Sequence, residues 1–263
     1  MKKIINDMNE FFLPTNLYIN RDILDKNFYF YKETIDDINK FTHDDAINDW
    51  LPEKVRIFNS STFYLVHSIE KMIFFWNNRE KGITMEAYLR MELRNTCINI
   101  EMYIDKIKSL IGYYFFLNRK TISDWKNFIK TISQFQTMDK LLGKFIKDCK
   151  DLNENEKYKW IKSIRIAEIH NESLIDMHNY ELSPDLIPID KGYKINSETI
   201  LDNIQHVLKL LYEIRNDVQK IIETIPSHKV YKYIKENETN LKNILIPGTR
   251  ADFNKEIVIN PTW

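Results

Sequence analysis

Apolar residues recur in steps of three and four along three long stretches of the chain. Between Pro52 and Asn78 the series is Val55, Phe58, Thr62, Leu65, Ile69, Met72 and Trp76. Between Thr84 and Asn118 it is Leu89, Leu93, Cys97, Ile100, Ile104, Ile107, Ile111 and Tyr114. Between Ser197 and Ile225 it is Ile200, Ile204, Val207, Leu211, Ile214, Val218, Ile221 and Ile225. A period near 3.6 places each series on one face of an amphipathic helix, and that face is expected to pack into a core. At 1.5 Å per residue the second helix is about 50 Å long and the third about 40 Å. The spacing therefore predicts an all-α fold, an elongated and mostly antiparallel helical bundle.

The punctuation residues agree with this division. Pro52 suits a first helical turn, Thr84 and Ser197 suit N-caps, Gly82 separates the first two helices and Pro226 follows the last stripe. Two shorter helical segments are expected at Asp124 to Phe135 and Met138 to Leu152, and "NENEK" then leads into another helix. A further helix is expected from Asp22 to Phe41. Residues 180–196, "YELSPDLIPIDKGYKIN", hold two Pro and one Gly and read as a long loop with a short β-hairpin. The organisation expected is one domain: an N-terminal helical extension over residues 1–50, a bundle over 51–226, and a C-terminal tail, 227–263, packed on it.

Composition narrows the function classes. Apolar residues make up 43% and charged residues 29%, which suits a globular chain, and five Gly with seven Pro are too few for the turns of a sandwich or barrel. Formal net charge is zero, so no global positive field draws in nucleic acid, and any RNA contact needs a local basic patch. Cys97 and Cys149 are too few for a disulfide framework or a structural zinc site. The longest strongly apolar run, "LIGYYFFL", is far short of the roughly 20 residues a membrane span needs, so no membrane association is expected. No secretory pattern opens the chain, and the cytoplasm is the default location. Phosphate-binding loops, dinucleotide fingerprints and nucleophile elbows do not occur.

Candidate chemistry concentrates in "WIKSIRIAEIHNESL", residues 160–174, where Arg165 and His170 form an R-x(4)-H spacing. Read as one helix with 100° per residue, Trp160, Ile164, Ala167, Leu174 and Ile175 form a core face. The opposite side gathers Lys162, Arg165, Ile166, Ile169, His170 and Ser173. Basic and polar groups around two isoleucines suit a cleft or a subunit interface better than a solvated face or a second core face. Histidine can move protons at neutral pH, and arginine stays protonated and donates in pairs to phosphate oxygens. Other candidates read as structural. Arg94 and Arg215, each followed by Asn, lack a histidine at that spacing, His67 and His206 sit beside apolar stripes, and the aromatic run at residues 28–31 suits packing. The D-x-H of Asp176 and His178 reads as incidental.

On these residues, and over the long helix from Thr84, the motif helix and the closing helix to Ile225, the chain resembles a HEPN-domain protein. That family comprises helical bundles with an R-x(4–6)-H motif, often dimeric, and includes metal-independent ribonucleases of toxin and antiphage systems. The resemblance implies RNA cleavage by attack of the 2′-hydroxyl on the adjacent phosphate, with His170 moving a proton and Arg165 stabilising the phosphate. Lys162 and Ser173 are secondary candidates for phosphate contacts. It implies no metal and no cofactor, and as partners RNA, a second copy of the chain, and an antitoxin or other defence protein. Arg165 and His170 stand about 140° apart on an ideal helix, so a two-fold dimer along the Ile166–Ile169 ridge would bring Arg165 of one chain towards His170 of the other. One departure bears on activity: active members often carry a polar residue directly after the motif arginine, and here that residue is Ile166. A non-catalytic HEPN-like module binding RNA, a nucleotide or a partner protein is the alternative.

Overall fold

The computed structural model describes residues 45–170, 173–185, 187–225 and 227–241, and the side chains of these apart from 45–56, 119, 169 and 227–228. The expected helix from Asp22 to Phe41, the aromatic run at 28–31, Pro226 and the tail from residue 242 onward lie outside the described residues.

The protein is a mostly α-helical bundle. In chain order the helices are α1 (Asp45–Asn78), α2 (Ile83–Tyr114), α3 (Arg119–Ser123), α4 (Trp125–Ile132), α5 (Lys140–Glu154) and α6 (Glu156–Ile169). A hairpin of β1 (His178–Leu182) and β2 (Pro188–Tyr193) follows, then α7 (Ser197–Thr224), α8 (Ser227–Glu236) and α9 (Glu238–Leu241). Apart from Val55, whose side chain lies outside the described residues, all three long stripes are buried: among them Leu65, Leu93, Ile104, Val207 and Ile214 are at most 1% exposed. Fully burying a side chain of this size stabilises a fold by about 1.5–3 kcal/mol, which is why the periodicity locates the core.

Helix ends differ from the expectations by the residue that supplies the cap. Asn196, not Ser197, accepts the Thr199 N–H at the start of α7, and the Ser197 hydroxyl instead donates to Glu86. α2 begins at Ile83, with the Gly82 carbonyl accepting from Met85. α1 begins at Asp45, so Pro52 falls inside it; Ile47 and Leu51 extend the Val55–Phe58 spacing upstream. α2 stops in a Schellman turn: Leu117 N–H reaches the Gly112 carbonyl and Phe116 N–H that of Tyr113. The left-handed position is filled by Phe116 (φ 58°), whose ring is buried.

The contacts divide the chain into two compact units. The first comprises residues 63–103 and 154–211 of the described chain, with α6 and the hairpin; the second comprises residues up to 62, 104–153 and from 212 onward. In the second, Gly112 lets α2 approach α3 so closely that an added Cβ would stand 2.5 Å from Ile122 Cγ1. Also in that unit Lys144 of α5 binds both oxygens of buried Asp217 on α7 at 2.7 Å, and the Tyr114 hydroxyl donates to the Ile225 carbonyl. The hairpin is antiparallel, pairing Tyr180 with Asp190 and Leu182 with Pro188. It fulfils the expectation for residues 180–196.

Candidate functional site

Everything at the site belongs to the first unit. Asn155 caps α6, its side-chain oxygen accepting from Lys157 and Tyr158 N–H. The helix buries Tyr158, Ile161, Ile164 and Ala167. Trp160 and Leu174, placed on the core face in the sequence reading, are only half-buried. For Leu174 the reason is that α6 ends at Ile169, with His170 as its C-cap (φ −92°, ψ 12°), so the helical projection does not extend to residues 173–175; Trp160 lies inside α6, and the helix end does not account for its exposure. Of the two motif residues, only Arg165 lies within the helix.

Arg165 is half-exposed, and its Nη1 lies 3.7 Å from Oε2 of Glu101, whose side chain is buried. Ile166 beside it is exposed. His170 is exposed and its ring makes no hydrogen bond or ion pair with the described residues. Arg165 and His170 are therefore not joined to each other within one chain. Lys162 is half-buried, and the Ser173 hydroxyl donates to Asp176 Oδ2 at 2.6 Å. Ile169's side chain and Asn171 lie outside the described residues.

Beneath this end of α6 runs a charged seam that the stripe analysis passed over. Arg90, Arg94 and Glu101 stand on α2 at spacings of four and seven, which put them on one face. Glu101 meets Arg165. Arg94 meets Glu168 at 3.8 Å and donates to Asp176 at 3.2 Å. Arg90 is 1% exposed and is held by two backbone oxygens and a hydroxyl: it donates to the Ile175 carbonyl, to the Ile195 carbonyl at 2.9 Å and to Ser197 Oγ at 3.2 Å. Its guanidinium lies 3.5 Å from the Tyr193 ring centre. Burial pulls Arg90 below its ordinary value, against the opposing pull of Glu86, Tyr193 and Asp176. The visible signal in the sequence was three charged residues at helical spacing immediately beside the Leu89–Leu93–Cys97 stripe.

The D-x-H pair does not act as a pair. Asp176 serves Arg94 and Ser173, while His178 Nδ1 lies 2.7 Å from Asp190 Oδ2 across the hairpin. Asp190 Oδ1 accepts the Gly192 N–H at 2.8 Å, and these contacts, the Gly192 N–H foremost, hold its carboxyl below the usual range. Asn155 Nδ2 donates to His206 Nε2, 3.0 Å away, and burial foremost lowers the histidine's pKa. Cys97 and Cys149 are buried free thiols, both pushed up by burial. Among the described residues no group of three His, Cys, Asp or Glu is placed to hold a metal, and no helix is long and apolar enough to cross a membrane. A cavity of about 220 Å³ in the second unit is lined by Asp105, Lys108, Ser109 and Tyr113, and its Lys108 already pairs with Asp105 at 2.9 Å.

Comparison with protein-family models, with characterised proteins and with solved structures gives no match.

Proposed function

We propose that the protein is a metal-independent endoribonuclease of the HEPN type, acting in a toxin or phage-defence setting and leaving 2′,3′-cyclic phosphate ends. The observation that carries this reading is the state of the motif pair. His170 stands exposed at a helix end, with no partner on its ring nitrogens among the described residues, and Arg165 is half-exposed on the preceding turns of the same helix. An accessible imidazole suits proton transfer at neutral pH, and a half-exposed guanidinium steadied by Glu101 is the kind of group that stabilises a phosphate oxygen. Exposed Ile166 between them suits the ridge of a two-fold contact that would unite the pair across two chains.

The test is induced expression of the wild type beside His170→Ala, with RNA integrity and growth read together, followed by purified protein on total RNA. The expected result is RNA breakdown and arrest with the wild type only, cyclic phosphate ends on the products, and no inhibition by EDTA. Strict dependence on added Mg²⁺ or Mn²⁺ overturns the mechanism. Intact RNA in both cultures and in the purified reaction favours the non-catalytic module, a reading supported by the engagement of Arg165 with a buried carboxylate.

A further inference from the structure

Cleavage through the 2′-hydroxyl moves two protons, one off O2′ and one onto the departing O5′, and His170 supplies only one group for this work. We infer that His178, oriented by Asp190, is the second proton-transfer residue and acts as the base; this rests on the ribonuclease reading.

Three observations carry it. The first is orientation. Asp190 takes the Nδ1 proton of His178 at 2.7 Å, while the Gly192 N–H fixes the other carboxylate oxygen at 2.8 Å. That leaves Nε2 as the open acceptor, and it makes no hydrogen bond with the described residues. The second is rigidity. The His178 ring packs against Tyr193 at 4.4 Å, Tyr193 lies on Arg90, and Arg90 is tied to the backbone at both feet of the hairpin. The side chain is 30% exposed, enough to meet a ligand without being loose. The third is placement. Arg94 binds Glu168 and Asp176 together, and each of these carboxylates stands two residues before a histidine, Glu168 before His170 and Asp176 before His178. One guanidinium thus anchors both histidine-bearing segments to the same stretch of α2.

The step balances. His178 Nε2 accepts the O2′ proton as the O2′–P bond forms. The P–O5′ bond breaks, and protonated His170 delivers a proton to O5′. The products are a 2′,3′-cyclic phosphate and a 5′-hydroxyl, and exchange with water restores both rings.

The experiment uses two substrates, uridylyl-adenosine and the 4-nitrophenyl ester of uridine 3′-phosphate, whose leaving group departs without a proton. His178→Gln, which keeps a donor towards Asp190, is expected to lose about a hundredfold or more on both substrates, the usual range for removing a general base. His170→Ala is expected to lose as much on the dinucleotide and far less on the aryl ester. Asp190→Asn is expected to lower kcat with KM little changed, and ¹⁵N NMR of the His178 ring should show the Nδ1–H tautomer in the wild type and a mixture in this variant. Wild-type rates for His178→Gln on both substrates overturn the inference and leave the ribonuclease reading standing. A loss confined to the dinucleotide makes His178 the acid and overturns its role as base. If the wild type cleaves neither substrate nor total RNA, the ribonuclease reading fails and the inference fails with it.

Discussion

His170 and Arg165 differ in what their removal takes from the rest of the fold. The imidazole is exposed and makes no bond with the described residues, so His170→Ala should alter stability by no more than about 0.5 kcal/mol, as surface substitutions usually do. Arg165 is a cation beside the buried Glu101 carboxylate. Arg165→Ala weakens the compensation of that charge and should cost on the order of 1 kcal/mol, reduced by the solvent that reaches the guanidinium. Paired thermal melts check this: the two variants should lose cleavage alike but differ in Tm, with only the arginine variant melting lower. Equal melting temperatures would deny the Glu101 contact any energetic weight. Arg165→Lys, which keeps the charge and loses the paired donors, then separates folding from phosphate binding.

At the scale of elements, the helices that bury a continuous stripe were legible and the places where they stop were not. Leu93, Ile104, Val207 and Ile214 are each at most 1% exposed, and alanine at any of them should lower the free energy of unfolding by about 2–5 kcal/mol in denaturant titration. The end of α6 was illegible because neither Gly nor Pro marks it. Arg90 and Arg94, some eighty residues earlier, fix Ile175 and Asp176 in place, and no local pattern announces such a partner. The same holds for His178, whose Asp190 is brought opposite by hairpin register. A second pair of elements, α5 and α7, carries a pH dependence. Burial foremost, with the neighbouring Asp148 carboxylate, raises Asp217 to about 6, against the Lys144 hydrogen bond that lowers it. A folded pKa above the unfolded value means the folded state binds the proton more tightly. This group's contribution therefore improves as pH falls through about 6 towards 4, and above 6 its ionised form opposes folding by on the order of 2 kcal/mol. Asp217→Asn should accordingly be more stable than the wild type at pH 7.5, and the gap should close by pH 5. A gap of constant size across that range would remove Asp217 as its source.

At the scale of the whole molecule, the proposal has the site drawing on two copies, and mixing tests it. Chains carrying Arg165→Ala and chains carrying His170→Ala are expected to be inactive alone. Random pairing makes half the dimers mixed, and each mixed dimer keeps one intact site of two, so about a quarter of wild-type activity should return. No recovery in a preparation whose mixed dimers are seen by native mass spectrometry refutes the shared site, and a strict monomer at micromolar concentration removes it altogether. Arg90 has a whole-chain effect of another kind. One guanidinium grips the Ile175 and Ile195 carbonyls and so closes the intervening loop much as a covalent cross-link would, a closure whose entropy grows only slowly with loop length. The peptide between those feet is then free to be cut. A protease nick at the exposed tip around Asp185 should leave two fragments that co-elute in gel filtration, held by the buried stripe of α7 as well as by Arg90, and in Arg90→Ala the nicked pair should come apart at a lower denaturant concentration.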